Sequence, residues 1–151
     1  MHNEVRMDIL VLADTHIPSR ARRLPQAVLD VLSNADLILH AGDITTRPVL
    51  RELERYAQVV AVAGNNDDAE LVSLLPARTI ISAGRFRVGV VHGDGARGTT
   101  YSRAAAAFEP GTVDCVVFGH SHQPLSICEG GVLYLNPGSP TDRYWVPASF
   151  P

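Results

Sequence analysis

Three short apolar runs, MDILVLAD (7–14), DLILHAGD (36–43) and VVAVAGNND (59–67), punctuate the first part of the chain. Each has the length of a strand and few polar residues, as expected of a strand covered on both faces. The segments between them carry a helical period. In LPQAVLDVLSNA, Leu24, Ala27, Val28, Val31, Leu32 and Ala35 recur at helical spacing, with Pro25 suited to a first turn. In TTRPVLRELERYA, Val49, Leu50, Leu53, Tyr56 and Ala57 share one face, behind a threonine available as N-cap. A βαβαβ order leaves little freedom. It requires a parallel sheet with right-handed crossovers.

The second half changes character. RTIISAGRFRVGVVHGD reads as a hairpin turning near Ala83-Gly84, and SICEGGVLYLNPG as another turning at Gly130-Gly131. Between them, Tyr101, Ala104, Ala105 and Phe108 mark a short helix that leads into DCVVFGH. No repeat, low-complexity tract or linker divides the chain, so residues 1–151 are expected to form one α/β domain of two packed sheets flanked by helices. A length of 151 residues, 46% hydrophobic and 19% charged, suits one sizeable core. The net charge of -3 provides no basic face for a nucleic-acid backbone, which argues against stable nucleic-acid binding but not against a nucleotide substrate. Cys115 and Cys128 read as reduced core thiols. No stretch has the ~18 apolar residues that would span a bilayer, and MHNEVRMDILVLAD lacks the pattern of a signal peptide. The expectation is a cytoplasmic protein without a membrane partner.

The polar residues fall in a regular place. Each apolar run ends in a carboxylate, an imidazole or a carboxamide: Asp14 and His16 in ADTH, Asp43 in AGD, Asn65 in AGNND, His92 in VVHGD, His120 and His122 in GHSH. Open α/β sheets bind ligands beyond the carboxyl ends of their parallel strands, so seven donors from five strand ends would meet on one rim. Taken singly, Asp14, His16, Asn65 and His92 are ordinary loop or capping residues. The His-x-His spacing says more, because alternate positions put both rings on one side of an extended segment. Jointly, the pattern exceeds what turn chemistry produces. Oxygen and nitrogen donors without a thiolate suit manganese, iron, nickel or zinc. Seven are too many for one tetrahedral ion and about right for two ions sharing a carboxylate, a part that Asp43 can fill. Gly42, Gly64, Gly93 and Gly119 would let the backbone turn beside the ions. His40 lies inside a strand and reads as a core or supporting histidine; His2 belongs to a terminus and has no case.

Asp14-x-His16, Gly42-Asp43, Gly64-Asn65, His92 and Gly119-His120-x-His122, in this order, resemble the calcineurin-like metallophosphoesterases. The segments DTHIP, HAGD, GNND, HGD, GHSH and NPGS are similar to its small single-domain phosphodiesterase group, which also contains the retromer subunit, a trafficking scaffold. The resemblance runs from about residue 8 to residue 143. It implies a four-layer αββα sandwich of two mixed β-sheets flanked by helices. It also implies two divalent transition-metal ions, manganese first, with nickel, iron or zinc as alternatives. One ion would take Asp14, His16, Asp43 and His122; the other would take Asp43 as bridge, Asn65, His92 and His120. The implied reaction is attack on the phosphorus of a small phosphodiester by a hydroxide held between the ions.

Two departures accompany the resemblance. Relatives often read Gly-Asn-His-Asp, and here the histidine position is Asn66, followed by Asp67. These two residues are expected to position substrate, although Asn66 can donate a hydrogen bond but cannot act as general acid. Slower turnover and a preference for good leaving groups follow. The chain also stops soon after NPGSPTDRYW, where relatives add a strand or two; an edge left open near VPASFP would be protected by self-association or disorder. NPGS (136–139) reads first as a plain turn and second as a pocket-shaping loop, and Arg20, Arg22, Arg23, Arg97 and Arg143 are candidates for holding phosphate. The alternatives to a phosphodiesterase are an interaction scaffold of the same fold and a phosphomonoesterase.

Overall fold

A computed structural model describes residues 6–142. His2, Arg143 and the terminal VPASFP lie outside them. Strand β1 (Ile9–Leu12) leads through helix α1 (Gln26–Leu32) to β2 (Leu37–His40), then through α2 (Arg47–Glu54) to β3 (Gln58–Ala61). Helix α3 (Ala69–Leu74) precedes the hairpin of β4 (Arg78–Ala83) and β5 (Phe86–Val91). Helix α4 (Thr100–Ala106), strand β6 (Cys115–Val117) and the hairpin of β7 (Leu125–Glu129) and β8 (Val132–Asn136) follow. The first sheet has the order β1-β2-β3 and is parallel throughout. The second, β4-β5-β6-β8-β7, is mixed: parallel at β5, β6 and β8, antiparallel at both hairpins.

Period-two alternation sorts the strand residues into three cores. Leu10, Leu12, Ile38, Val59 and Ala61 face the helices, where they meet Leu32 of α1, Val49, Leu50 and Leu53 of α2, and Leu71 of α3. Their neighbours Ile9, Val11, Leu37, Leu39 and Val60 pack instead on Val88, Val90, Val117 and Leu135 of the other sheet. That sheet's far face, with Val116, Phe118, Val132 and Tyr134, takes Tyr101, Ala104 and Phe108 from α4 and the turn after it. Three apolar interfaces thus separate four layers: helices, parallel sheet, mixed sheet and helix. The continuous apolar runs seen in the sequence are strands with both faces buried.

The elements are shorter than their sequence patterns. Thr46 stands at the N-cap of α2, but its side chain makes no capping hydrogen bond; Pro48 in the first turn needs no donor partner there. Helix α3 was not expected from the periodicity. Its six residues are too few to show a period, and Asp68, which accepts a hydrogen bond from the Leu71 amide, is its one local signature. Cys115 is half-buried between the sheets, whereas Cys128 is exposed on β7 and is no core thiol. No helix among the described residues is long and apolar enough to cross a membrane.

Register places the strand ends level. Leu12, His40 and Ala61 form one row at the end of the first sheet, and Val90, Val117 and Leu135 form one in the second. The loops leaving those rows carry the polar residues.

Candidate metal centre

The loop after β1 is bonded to the loop after β2: the Asp14 amide donates to the Gly42 carbonyl (3.0 Å) and the His16 amide to that of Asp43 (3.1 Å). Across the sheets, His92 Nδ1–H donates to the Ala41 carbonyl (2.7 Å), which leaves its Nε2 facing the Asp43 and Asn65 side chains. Turns this tight use unusual backbone. Asp14, His16, Asp43, His120 and His122 have φ between 44° and 65°, and Thr45 completes the set of positive-φ non-glycine residues among those described. Each such conformation costs roughly 1–3 kcal/mol and is held only where the surroundings over-determine it. Here the surroundings are a shared polar cluster. Gly42 also turns with positive φ (93°), while Gly64 makes room: a Cβ there would fall 2.2 Å from Asp43 Oδ1.

The seven expected donors are brought together. Asp43 Oδ2 lies 3.4 Å from His16 Nε2 and 3.3 Å from His92 Nε2, so one carboxylate oxygen stands between imidazoles from the two sheets. On one side, His16 Nε2 and His122 Nε2 are 3.1 Å apart, and Asp14 Oδ1 is 3.8 Å from the former and 3.6 Å from the latter. On the other, Asn65 Oδ1 is 2.9 Å from His92 Nε2 and 3.1 Å from His120 Nδ1. Asp14, His16 and His122 form one compact triad, and Asp14, Asp43 and His92 another, so Asp14 reaches both groups rather than one. Asp14, His16, Asp43 and His92 make a buried floor; Asn65 is exposed and His120 and His122 are half-buried, which opens the cluster on that side.

The electrostatics are those of a cation site. Both oxygens of Asp14 are buried without a hydrogen-bond donor, an arrangement costly for a carboxylate unless a positive charge faces it. Burial pushes its carboxyl up to about 6, against the opposing pull of His92 and His122. Burial opposes charge on His92 as well, but the Asp43 carboxylate and then Asp14 outweigh it and raise the imidazole to about 8. Asp43 is held well below the usual carboxylate range: burial would raise it, and the hydrogen bond and charge of His92, with two donors from Asn66, overcome that. A cluster of oxygen and imidazole donors with an orphaned carboxylate fits a divalent cation.

Residues around the cluster have roles that the sequence alone did not give them. The Asn66 amide and side-chain NH2 donate to the two Asp43 oxygens (2.7 and 2.8 Å), so one of its carboxamide donors is committed to that carboxylate. Both Asp67 oxygens accept backbone donors, from Thr45 and Gly64 (2.7 Å each). Burial holds the Asp67 carboxyl above its ordinary value despite those donors. His40 is fully buried, with Nε2 3.1 Å from Thr15 Oγ1 in the Asp14–His16 loop, and burial lowers it to about 3. The Ser121 hydroxyl, between the two histidines, accepts from Asn136 Nδ2. The NPGS turn joins loops: Asn136 also donates to the Gly119 carbonyl, Ser139 Oγ donates to the Asp14 carbonyl and Thr141 Oγ1 to that of Thr15. Of the arginines, Arg20 meets Asp142, while Arg22, Arg23 and Arg97 are exposed. Asp142, which no sequence motif marked, accepts from His122 Nδ1 at 2.7 Å.

The model of the calcineurin-like phosphoesterase superfamily domain matches residues 7–149. The chain belongs to that superfamily. A probable metallophosphoesterase of Methanocaldococcus jannaschii is 42% identical over 137 residues, covering 89% of this phosphoesterase-family chain and 69% of the relative. Vps29 of Chaetomium thermophilum superposes with a TM-score of 0.80 at 25% identity, covering 90% of this chain and 73% of that one. Vps29 of Entamoeba histolytica, solved as a complex with Zn2+, gives a TM-score of 0.72 at 30% identity, covering 88% and 74%. The resemblance read from DTHIP, HAGD, GNND and GHSH holds, and with it the sandwich fold. Membership of this superfamily implies divalent metal ions and supports phosphoester hydrolysis.

Proposed function

We propose that this chain is a metal-dependent phosphodiesterase whose seven donors hold two divalent ions. Manganese is the first choice, with nickel, iron or zinc as alternatives. The observation that carries the reading is the meeting of Asp14, His16, Asp43, Asn65, His92, His120 and His122 around an orphaned buried carboxylate. One ion would take Asp14, His16, Asp43 and His122; the other would take Asp43, Asn65, His92 and His120. The Asp43 oxygen between His16 and His92 supports its part as the shared ligand. Bound there, two cations supply Lewis acidity, bringing the pKa of water towards 7 and neutralising charge on phosphoryl oxygens.

The chain's own residues do the remainder. Buried backbone loops fix the floor, and the open side at Asn65, Asn66 and His120 admits a small phosphodiester. Asn66 has no proton to give at neutral pH and already holds Asp43, so the leaving oxygen must depart with little help. Aryl esters, with good leaving groups, are therefore the substrates of choice in vitro. A cytoplasmic setting suits this reading.

Likeness to Vps29 favours a second reading, a protein-interaction scaffold of the same fold. The complete donor set and the 42% identity to a probable metallophosphoesterase weigh for the enzyme. The test is hydrolysis of an aryl phosphodiester and the matching monoester by metal-stripped protein given Mn, Ni, Fe or Zn separately. Metal-stimulated diester turnover is expected, falling at least 100-fold in Asp43→Ala and His120→Ala if charge stabilisation is lost. No stimulated turnover, or variants as active as the parent, would leave the scaffold standing.

A further inference from the structure

His122 is held from behind. Its Nδ1–H donates to Asp142 Oδ2 at 2.7 Å, a length typical of charge-assisted hydrogen bonds. Asp142 is buried, with a side chain 4% exposed, and the same oxygen lies 3.4 Å from Arg20 Nη1. Arg20 is tied in turn to the first loop, its amide donating to the His16 carbonyl at 2.8 Å. A carboxylate from the NPGSPTD segment thus joins one cluster histidine to the loop of another. The two halves of the cluster differ here. His92 is backed by the neutral Ala41 carbonyl, and its half contains the uncharged Asn65. Asp14 faces both halves, but the half of His16 and His122 has a further buried carboxylate behind an imidazole.

We propose that Asp142 is a positioning residue: it locks His122 with the proton on Nδ1 and Nε2 free, and so strengthens cation binding in the Asp14–His16–His122 half. A carboxylate behind a ligating imidazole fixes the tautomer and raises the basicity of the other nitrogen, and removing such a partner costs about 10- to 100-fold in metal affinity. The inference rests on the metal-centre reading given above. It goes beyond that reading by adding a residue that touches no ion and by making the two halves unequal. Arg20 keeps the carboxylate in place from the solvent side.

Two measurements test it. The first is a long-range proton–nitrogen correlation spectrum of metal-free protein labelled at histidine nitrogen, recorded near pH 8. His122 is expected as the Nδ1–H tautomer in the parent and as a mixture in Asp142→Ala, with Asp142→Asn, which keeps an acceptor, restoring the parent form. The second is calorimetric titration with manganese alone. Two unequal steps are expected in the parent, and Asp142→Ala should weaken the tighter step roughly 10- to 100-fold while sparing the weaker one. An Nε2–H tautomer in the parent would overturn the proposal without recourse to any variant, even if Asp142→Ala failed to fold. So would an unchanged tight step, or an equal loss in both steps, which marks general loosening. A parent that takes up no cation would instead sink the metal-centre reading, whatever the tautomer.

Discussion

At the scale of single residues, burial decides what each polar group contributes. His40 shows this most simply, because it is fully buried with its Nε2 against the Thr15 hydroxyl. Its folded value of about 3 lies below the ordinary 6.5, so the unfolded chain binds the proton that the folded chain refuses. The stability it lends is complete above pH 6.5 and drains away as pH falls towards 3. The stability of metal-free parent relative to His40→Leu should therefore fall by about 1.4 kcal/mol per pH unit between pH 6 and pH 4. Urea melts at those two values check it, and a difference independent of pH would contradict it. Donor type was legible at this scale, since DTH, GD, GN, HGD and GHSH each show it. Side-chain direction was not. Nothing in GNND says that Asn66 turns onto Asp43, and nothing in NPGSPTD says that Asp142 folds behind a histidine 20 residues earlier. Such contacts depend on how loops from different strands stack, which no local pattern encodes.

At the scale of elements, the strands were readable and the loops were not. Continuous apolar runs announced β1, β2 and β3, and Gly130-Gly131 marked the last hairpin turn; the short α3 had too little period to be seen. The loops matter more, because they carry the donors on strained backbone. Asp67 is the fastener between two of them, accepting the Thr45 amide beyond β2 and the Gly64 amide beyond β3. Asp67→Ala would leave both donors unpartnered in a half-buried setting, at a cost of about 2–4 kcal/mol. A lowered urea midpoint in metal-free protein, with weakened manganese uptake, is the expected result. A variant as stable as the parent would return Asp67 to a role at the substrate.

At the scale of the whole molecule, the cluster sits where two sheets end, and its buried Asp14 carboxylate disfavours the folded state until a cation faces it. Asp14, whose carboxyl burial pushes up to about 6, records that tension, which the pairing of His92 with Asp43 only partly relieves. Cation binding should then stabilise the fold by mass action: at 100 times Kd it contributes about 2.7 kcal/mol, or roughly 5–10 °C in Tm for a domain of this size. Thermal melts with and without manganese, against a chelator baseline, measure the effect; an unchanged Tm would mean that the cluster does not bind the ion.

The parallel sheet is built wholly from residues 9–61 and the mixed sheet wholly from residues 78–136. The cluster divides along the same line: Asp14, His16 and Asp43 belong to the first stretch and Asn65 to the loop that leaves it, His92, His120 and His122 to the second. Neither stretch owns a complete coordination set. A cation at this junction would act as a non-covalent crosslink between two halves of one polypeptide, adding to the apolar interface that joins the sheets. Metal supply would then govern how long the folded protein lasts, quite apart from how fast it turns over substrate.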